Sequence, residues 1–242
     1  MPPVRPVDEL INTAEDAWPE LLAELTAGAV DVRVLPTEHG RETLGLMQVT
    51  TRSRLGAMAL HAGGVVLDHG WLRLYGGGDP AEGLPSLAEA NGFDGGPRDA
   101  PASFAVGHDV LGGCYEVNGP VPPEDRPGEP GEVCYFAPES LEWQPLGMPY
   151  GTWLSWLASG RLDGFYADVR WPGWQAEARA LRLDQGLSVY PFLFTAEARQ
   201  DLAATSRRPI SISELMSVHG SMARSIADMP NGSRFVMRVH QT

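Results

Sequence analysis

Asp68 and His69 are adjacent, with His61 before them and Arg73 just after, and a carboxylate beside an imidazole is a pairing that general acid–base catalysis uses. Adjacent residues of a strand point to opposite faces, so both side chains reach one site only if a turn rotates them. A plainer role competes with catalysis. Aspartate commonly bonds its own backbone in tight turns, and Asp68 with His69 would then fix the turn between the runs VVLD and WLRLY. These two residues are the catalytic candidates.

Arginine grips planar carboxylates and phosphates through two parallel hydrogen bonds. Four arginines are the candidate ligand-binding groups: Arg52 in TTRSR, Arg73 in WLRLY, Arg170 in RWPGW beside Trp171 and Trp174, and Arg207 in SRRP. A small-molecule site requires these distant strings to converge. Otherwise the arginines cap helices, pair with surplus acids, or lie over tryptophan faces. Trp153 and Trp156, at i and i+3, suit core anchors, whereas Trp171 and Trp174 beside proline and glycine fit either a groove or the core.

Familiar motifs are missing: G-x-S-x-G, H-E-x-x-H, G-x-G-x-x-G and the phosphate loop do not occur. Gly76 to Gly78 lead into no strong helix start for a phosphate and read as a loop. Cys114 and Cys134 are too few for a four-cysteine zinc site, and they are expected to remain thiols even if a hairpin brings them close. No metal and no cofactor is expected.

The elements that must position these groups follow from pattern. Pro19 can open a helix over ELLAELTA that Gly28 ends, and VDVRVL alternates as a half-buried strand does. Ser53 can cap a helix through LGAMALHA, with Gly63 and Gly64 stopping it before VVLD. From Gly76 to Pro101, glycine and proline leave room for no more than one helical turn, and a flexible excursion is favoured over an ordered cover of a pocket. FAV, GGCYEVN, EVCYFAP and SLEWQPL then suggest an antiparallel meander whose connection PVPPEDRPGEPG is a solvated hairpin tip. A helix is expected from Tyr150 to Ser159, another around WQAEARALR, a strand in LSVYPFLF, and a helix after Thr195. Ser211 and Glu214 have capping-box spacing at the head of SISELMSVHGSMARSIADM, and RFVMRV should close the chain as a strand.

A chain of 242 residues with 43% hydrophobic residues can bury a substantial core, and one domain over 1–242 is expected. No run reaches the length of a membrane span, and MPPVRPVDELIN lacks the apolar stretch of a secretory signal, which makes the cytoplasm the expected location. All 18 basic residues are arginine, which removes lysine Schiff-base chemistry. The net charge of -13 argues against nucleic acid and suits a basic protein partner.

The strings LMQVTTRSRLGAMAL, GGVVLDHGWLRLYGGG, YFAPESLEWQPLGMPY, RWPGWQAE, YPFLFTAEA and SRRPISISEL resemble the bacterial domain-of-unknown-function family numbered 2625, from about Leu10 to Leu215. That resemblance carries no reaction with it. More distantly, Gly63 to Leu67, FAVGHDVLGGCYEVNG, EVCYFAP and TWLSWLASG are similar in order to the SUKH superfamily, whose members include toxin-immunity proteins. The stretch from Gly76 to Pro101 and everything after Gly160 have no counterpart in a minimal SUKH domain.

The expected fold is therefore α+β. It has a mixed, largely antiparallel sheet, helices packed on one face, a SUKH-like core at about 53–160 and a C-terminal extension at about 161–242. The expected function is non-enzymatic binding, of immunity type with a basic partner such as a toxin. The alternative is a small-molecule-binding or hydrolytic site using an Arg/Trp-lined pocket with Asp68 and His69. A homodimer is a further expectation for the partner.

Overall fold

The computed structural model describes residues 3–28, 30–93, 100–124 and 126–227. Its N-terminal half builds a layer of helices: α1 (Val7–Leu10), α2 (Trp18–Ala27), α3 (Gly40–Met47) and α4 (Arg54–His61). Pro19 sits in the first turn of α2, and Leu21 with Leu25, one turn apart, bury the face it turns inward. Ser53 caps α4, its hydroxyl accepting from the Gly56 N–H. Arg54 ties the layer together. Its guanidinium forks onto Glu24 of α2 at 2.9 and 2.5 Å and donates to the Gly151 carbonyl and to Ser155.

Seven strands follow one another as a meander: β1 (Val32–Leu35), β2 (Gly64–Leu67), β3 (Leu72–Tyr75), β4 (Ser103–Asp109), β5 (Cys114–Asn118), β6 (Glu132–Ala137) and β7 (Glu142–Pro149). Every described strand pair is antiparallel, and in the seven-stranded sheet spatial order equals sequence order; short turns join most neighbours, while α3 and α4 lie between β1 and β2, and a short helix (Leu87–Ala90) lies between β3 and β4. Period-two alternation then sorts the side chains. One face carries Leu72, Leu74, Tyr115 and Tyr135 toward α6 (Tyr150–Ala158), whose Trp153 lies 5.0 Å from the Tyr115 ring. The other face carries a single cross-strand row: Arg33, Val66, Arg73, His108, Cys114, Phe136 and Trp143, one residue from each strand.

That second face is covered by the C-terminal segment. α7 (Leu162–Phe165) and α8 (Trp174–Ala180) lead to a hairpin of β8 (Gln185–Tyr190) and β9 (Ser206–Ser211), with α9 (Ala196–Gln200) in its connection. Numbering in chain order leaves α5 for Leu87–Ala90 and α10 for the closing Ile212–Ala227. β8 docks through the Leu187 N–H on the Val110 carbonyl at 2.6 Å, and α10 brings Leu215 and His219 against Gly112 in the β4–β5 turn. Added methyls at Gly112 and Gly186 would lie 2.9 and 2.8 Å from Leu215, so these glycines permit the close approach.

The α+β class, the antiparallel meander and the helix at α6 match the sequence expectation. Two local expectations do not. The stretch after Gly76 is packed rather than an excursion: Ser86 and Glu89 form a capping box on α5, and Leu84, Leu87, Ala88 and Phe93 are buried. The proline-rich β5–β6 connection is not wholly solvated, because Arg126 folds back to pair with Glu116 at 2.8 Å and lies 3.3 Å from the Trp143 ring centre. SRRPIS forms strand β9, which no local pattern announces, and the expected helix follows it directly as α10 from Ile212; Ser211 Oγ meets Ser213 Oγ at 2.7 Å. The expected strand RFVMRV lies outside the described residues. Both cysteines are free and buried. No helix among the described residues is long and apolar enough to cross a membrane.

Candidate functional site

The β2–β3 turn positions the histidine that the sequence singles out. Asp68, His69 and Gly70 all take positive φ, and the Trp71 N–H closes the turn on the Asp68 carbonyl at 3.0 Å. Its left-handed path is the rotation that sends the two side chains to different partners. Asp68 is buried against Arg170 in a close ion pair, whereas His69 Nδ1 meets Asp31 at 2.8 Å and Arg179 at 2.5 Å.

Beneath this turn lies a stack of aromatic and guanidinium planes. Arg170 sits 3.8 Å above the Trp174 ring, and Trp71 meets Trp174 edge-on at 5.1 Å and Trp171 at 5.8 Å. Arg207 lies 4.5 Å from Trp171, whose indole N–H donates to Glu177 at 2.7 Å. Arg170 also pairs with Asp163 at 2.8 Å, and Arg207 with Glu177 at 3.1 Å and the Thr205 carbonyl at 2.8 Å. The stack therefore brings Asp68, Arg170, Trp171, Trp174 and Arg207 together with the guanidinium groups already paired, and it fixes where His69 points. Arg52 stands apart, on the helix side, in an exposed pair with Glu15 at 2.8 Å.

An open cleft of about 520 Å³ begins at His69 and runs over the β1 end of the cross-strand row; Asp31, Arg33, Arg73, Glu82 and Arg179 supply its other charges. Asp31 and Arg33 project from the same face near β1 because they are two residues apart. Glu82 comes from the packed segment after Gly76, and Arg179 from the end of α8. The rim pairs are loose: Arg33 to Glu82 is 3.4 Å and Arg179 to Asp31 is 3.6 Å, both longer than the 2.7–2.9 Å of a closed charge-assisted bond. Asp31 is held below the usual carboxylate range, chiefly by its hydrogen bond with His69.

Arg73 forms the inner wall. Its side chain is fully buried, Nη1 donates to the Gln185 carbonyl at 2.7 Å, and Nε and Nη2 have no hydrogen-bond partner among the described residues. Burial lowers its pKa to about 10, partly offset by Asp109, so it remains a cation at neutral pH. Buried donors left unpaired cost about 1–3 kcal/mol. Beside Arg73 in the row, His108 is also fully buried; burial and then the Arg73 charge push its pKa down to about 3, which keeps it neutral. The Tyr75 hydroxyl and His108 Nδ1 share a hydrogen bond of 2.8 Å.

A family model described as protein of unknown function DUF2625 matches residues 7–215. The chain belongs to that family. Two relatives match over most of their length. An uncharacterized Escherichia coli K12 protein, YbfG, is 34% identical over 225 residues, covering 90% of this chain and 97% of the relative. An uncharacterized Haemophilus influenzae Rd protein is 26% identical over 199 residues, covering 81% and 83%. No solved structure matches.

Every cleft residue of this DUF2625 member, from Asp31 to Leu183, lies inside the matched span. Of the cleft residues, His69 and Arg73 stand out in the sequence by type and setting, and Asp31, Arg33, Glu82 and Arg179 do not. A signal for two of them was present: the alternation of VDVRVL sets Asp31 and Arg33 on one face. Among the described residues no His, Cys, Asp or Glu cluster could hold a metal ion.

Proposed function

We propose that this protein is a non-enzymatic binding protein that holds a small anion in the cleft at the β1 end of the sheet. The observation that carries this is Arg73, a buried cation with two unpaired nitrogens at the inner wall of an open cleft. An anion there would supply the missing acceptors to a guanidinium that is itself buried, where charge pairing is stronger than at an exposed surface. Arg33 and Arg179, both more than half exposed, can turn onto the same ligand. The volume lies within the usual range of small-molecule sites. Binding is favoured over turnover because no Ser, Thr or Cys nucleophile lines the cleft and His69 Nδ1 is already engaged.

Thermal unfolding with added acetate, benzoate, succinate or inorganic phosphate, at ionic strength matched with sodium chloride, tests the proposal. One of these anions should raise the melting temperature with concentration, as ligands of the native state do. Arg179→Ala and Arg33→Ala should abolish the shift, and Arg52→Ala should retain it. Equal shifts in all three variants, or none beyond the chloride control, would overturn the proposal.

A basic protein partner is the second reading, favoured by the net charge of -13. It expects an affinity pull-down from cells to recover a basic protein whose retention falls steeply with salt; recovery that is insensitive to salt speaks against it.

A further inference from the structure

The chemistry of the rim narrows the ligand class, resting on the reading of the cleft as a small-anion site. Around Arg73 the rim carries positive and negative groups in equal number: Arg33 opposite Glu82, and Arg179 opposite Asp31. The two arginines answer the two carboxylates, so the unbalanced charge of the cleft is the single guanidinium of Arg73. A ligand with one carboxylate balances it.

A bare anion meets an obstacle at the mouth, where Asp31 and Glu82 repel it. Neither acid is fully occupied. Glu82 is about half exposed with its arginine at 3.4 Å, and Asp31 is about half exposed with its arginine at 3.6 Å. Both have a coordination position left for a cationic donor. The imidazole adds to this looseness: His69 Nδ1 cannot both donate to Asp31 and accept from Arg179, although both groups approach it. Whichever bond it makes, one of those two groups is left short of a partner. A ligand with an ammonium beside its carboxylate answers all of these observations.

We infer that the cleft takes a small zwitterion of the α-amino acid class, its carboxylate toward Arg73 and its ammonium between the Glu82 and Asp31 carboxylates. The inner wall includes Val66, Leu181 and Leu183, so an apolar side chain fits better than a charged one.

Calorimetric titration of the full chain with each free proteinogenic amino acid, its N-acetyl derivative and the corresponding amine lacking the carboxylate tests the inference. At least one apolar amino acid should bind, with both derivatives at least about tenfold weaker, since each lacks one charge of the pair. Glu82→Gln, a surface change that leaves the fold intact, should weaken the free amino acid at least about fivefold and leave the N-acetyl derivative unchanged or tighter. If the N-acetyl derivative binds as well as the free amino acid, and Arg179→Ala abolishes both, the zwitterion inference falls while the small-anion reading stands. If neither these compounds nor any simple anion binds, both fall.

Discussion

Replacing His108 by glutamine removes a titrating group from the buried row while keeping a polar side chain able to bond the Tyr75 hydroxyl. In the native protein His108 resists protonation until about pH 3, against an ordinary value of 6.5, because it is buried beside the Arg73 cation. The unfolded chain takes up that proton below about pH 6.5. Between those values the unfolded state binds more protons, so the stability His108 contributes is present above pH 6.5 and is lost as pH falls. Each pH unit below 6.5 costs slightly more than about 1 kcal/mol, so a drop from pH 7.0 to 4.5 removes on the order of 3 kcal/mol through this one residue. His219, also lowered by burial, acts in the same direction, and Asp109, raised by burial, acts against it. Both remain in the variant and cancel in the comparison. Urea unfolding of native protein and His108→Gln at the two pH values measures the difference directly. The native protein should lose on the order of 3 kcal/mol more than the variant on acidification. Equal losses would refute the claim that His108 is held neutral in the folded state.

Two further predictions concern packing. Asp109→Ala should destabilise the fold by about 3–5 kcal/mol in urea unfolding, because Asp109 accepts from the Leu111 and Gly113 N–H groups and from Tyr135 and Tyr166 in a fully buried site. A loss under 1 kcal/mol would show that the tyrosines find other partners. Arg54→Ala should cost about 2 kcal/mol, since it opens the fork onto Glu24 and frees the Gly151 carbonyl, and Glu24→Ala should add little on top of it. Full additivity of the two substitutions would contradict that coupling.

Much of the architecture was legible because it is written in local pattern. Ser53 before an apolar helix, Trp153 with Leu154 and Leu157, and alternating strands separated by turns each follow from short-range chemistry. The stretch after Gly76 misled because its glycines and prolines forbid regular elements without forbidding burial: added methyls at Gly76 and Gly77 would lie 2.3 and 2.8 Å from the Ala62 and Ala59 carbonyls, so glycine there marks close packing on α4. SRRPIS stands out in the sequence only for its arginines, and its pairing with β8 is a tertiary contact that no local rule supplies. The site was half legible for the same reason. Asp68, Arg170, Trp171, Trp174 and Arg207 drew notice by type and are brought together, yet they satisfy one another under the turn. Glu82 and Arg179 look ordinary in sequence and meet at the cleft only because the packed segment after Gly76 and the C-terminal segment carry them there.

The most direct measurement of the anion cleft is the two-dimensional proton–nitrogen spectrum of the arginine Nε–H groups, with Arg73 assigned through Arg73→Lys. Acetate, benzoate and glycine would be added in turn at constant ionic strength. Arg73 has an unpaired Nε–H at the inner wall, and Arg52 is paired far from the cleft. The account predicts that the Arg73 signal shifts and saturates with at least one of these compounds while Arg52 stays fixed. An Arg73 signal unmoved by all three, or moving only in step with Arg52, would contradict it.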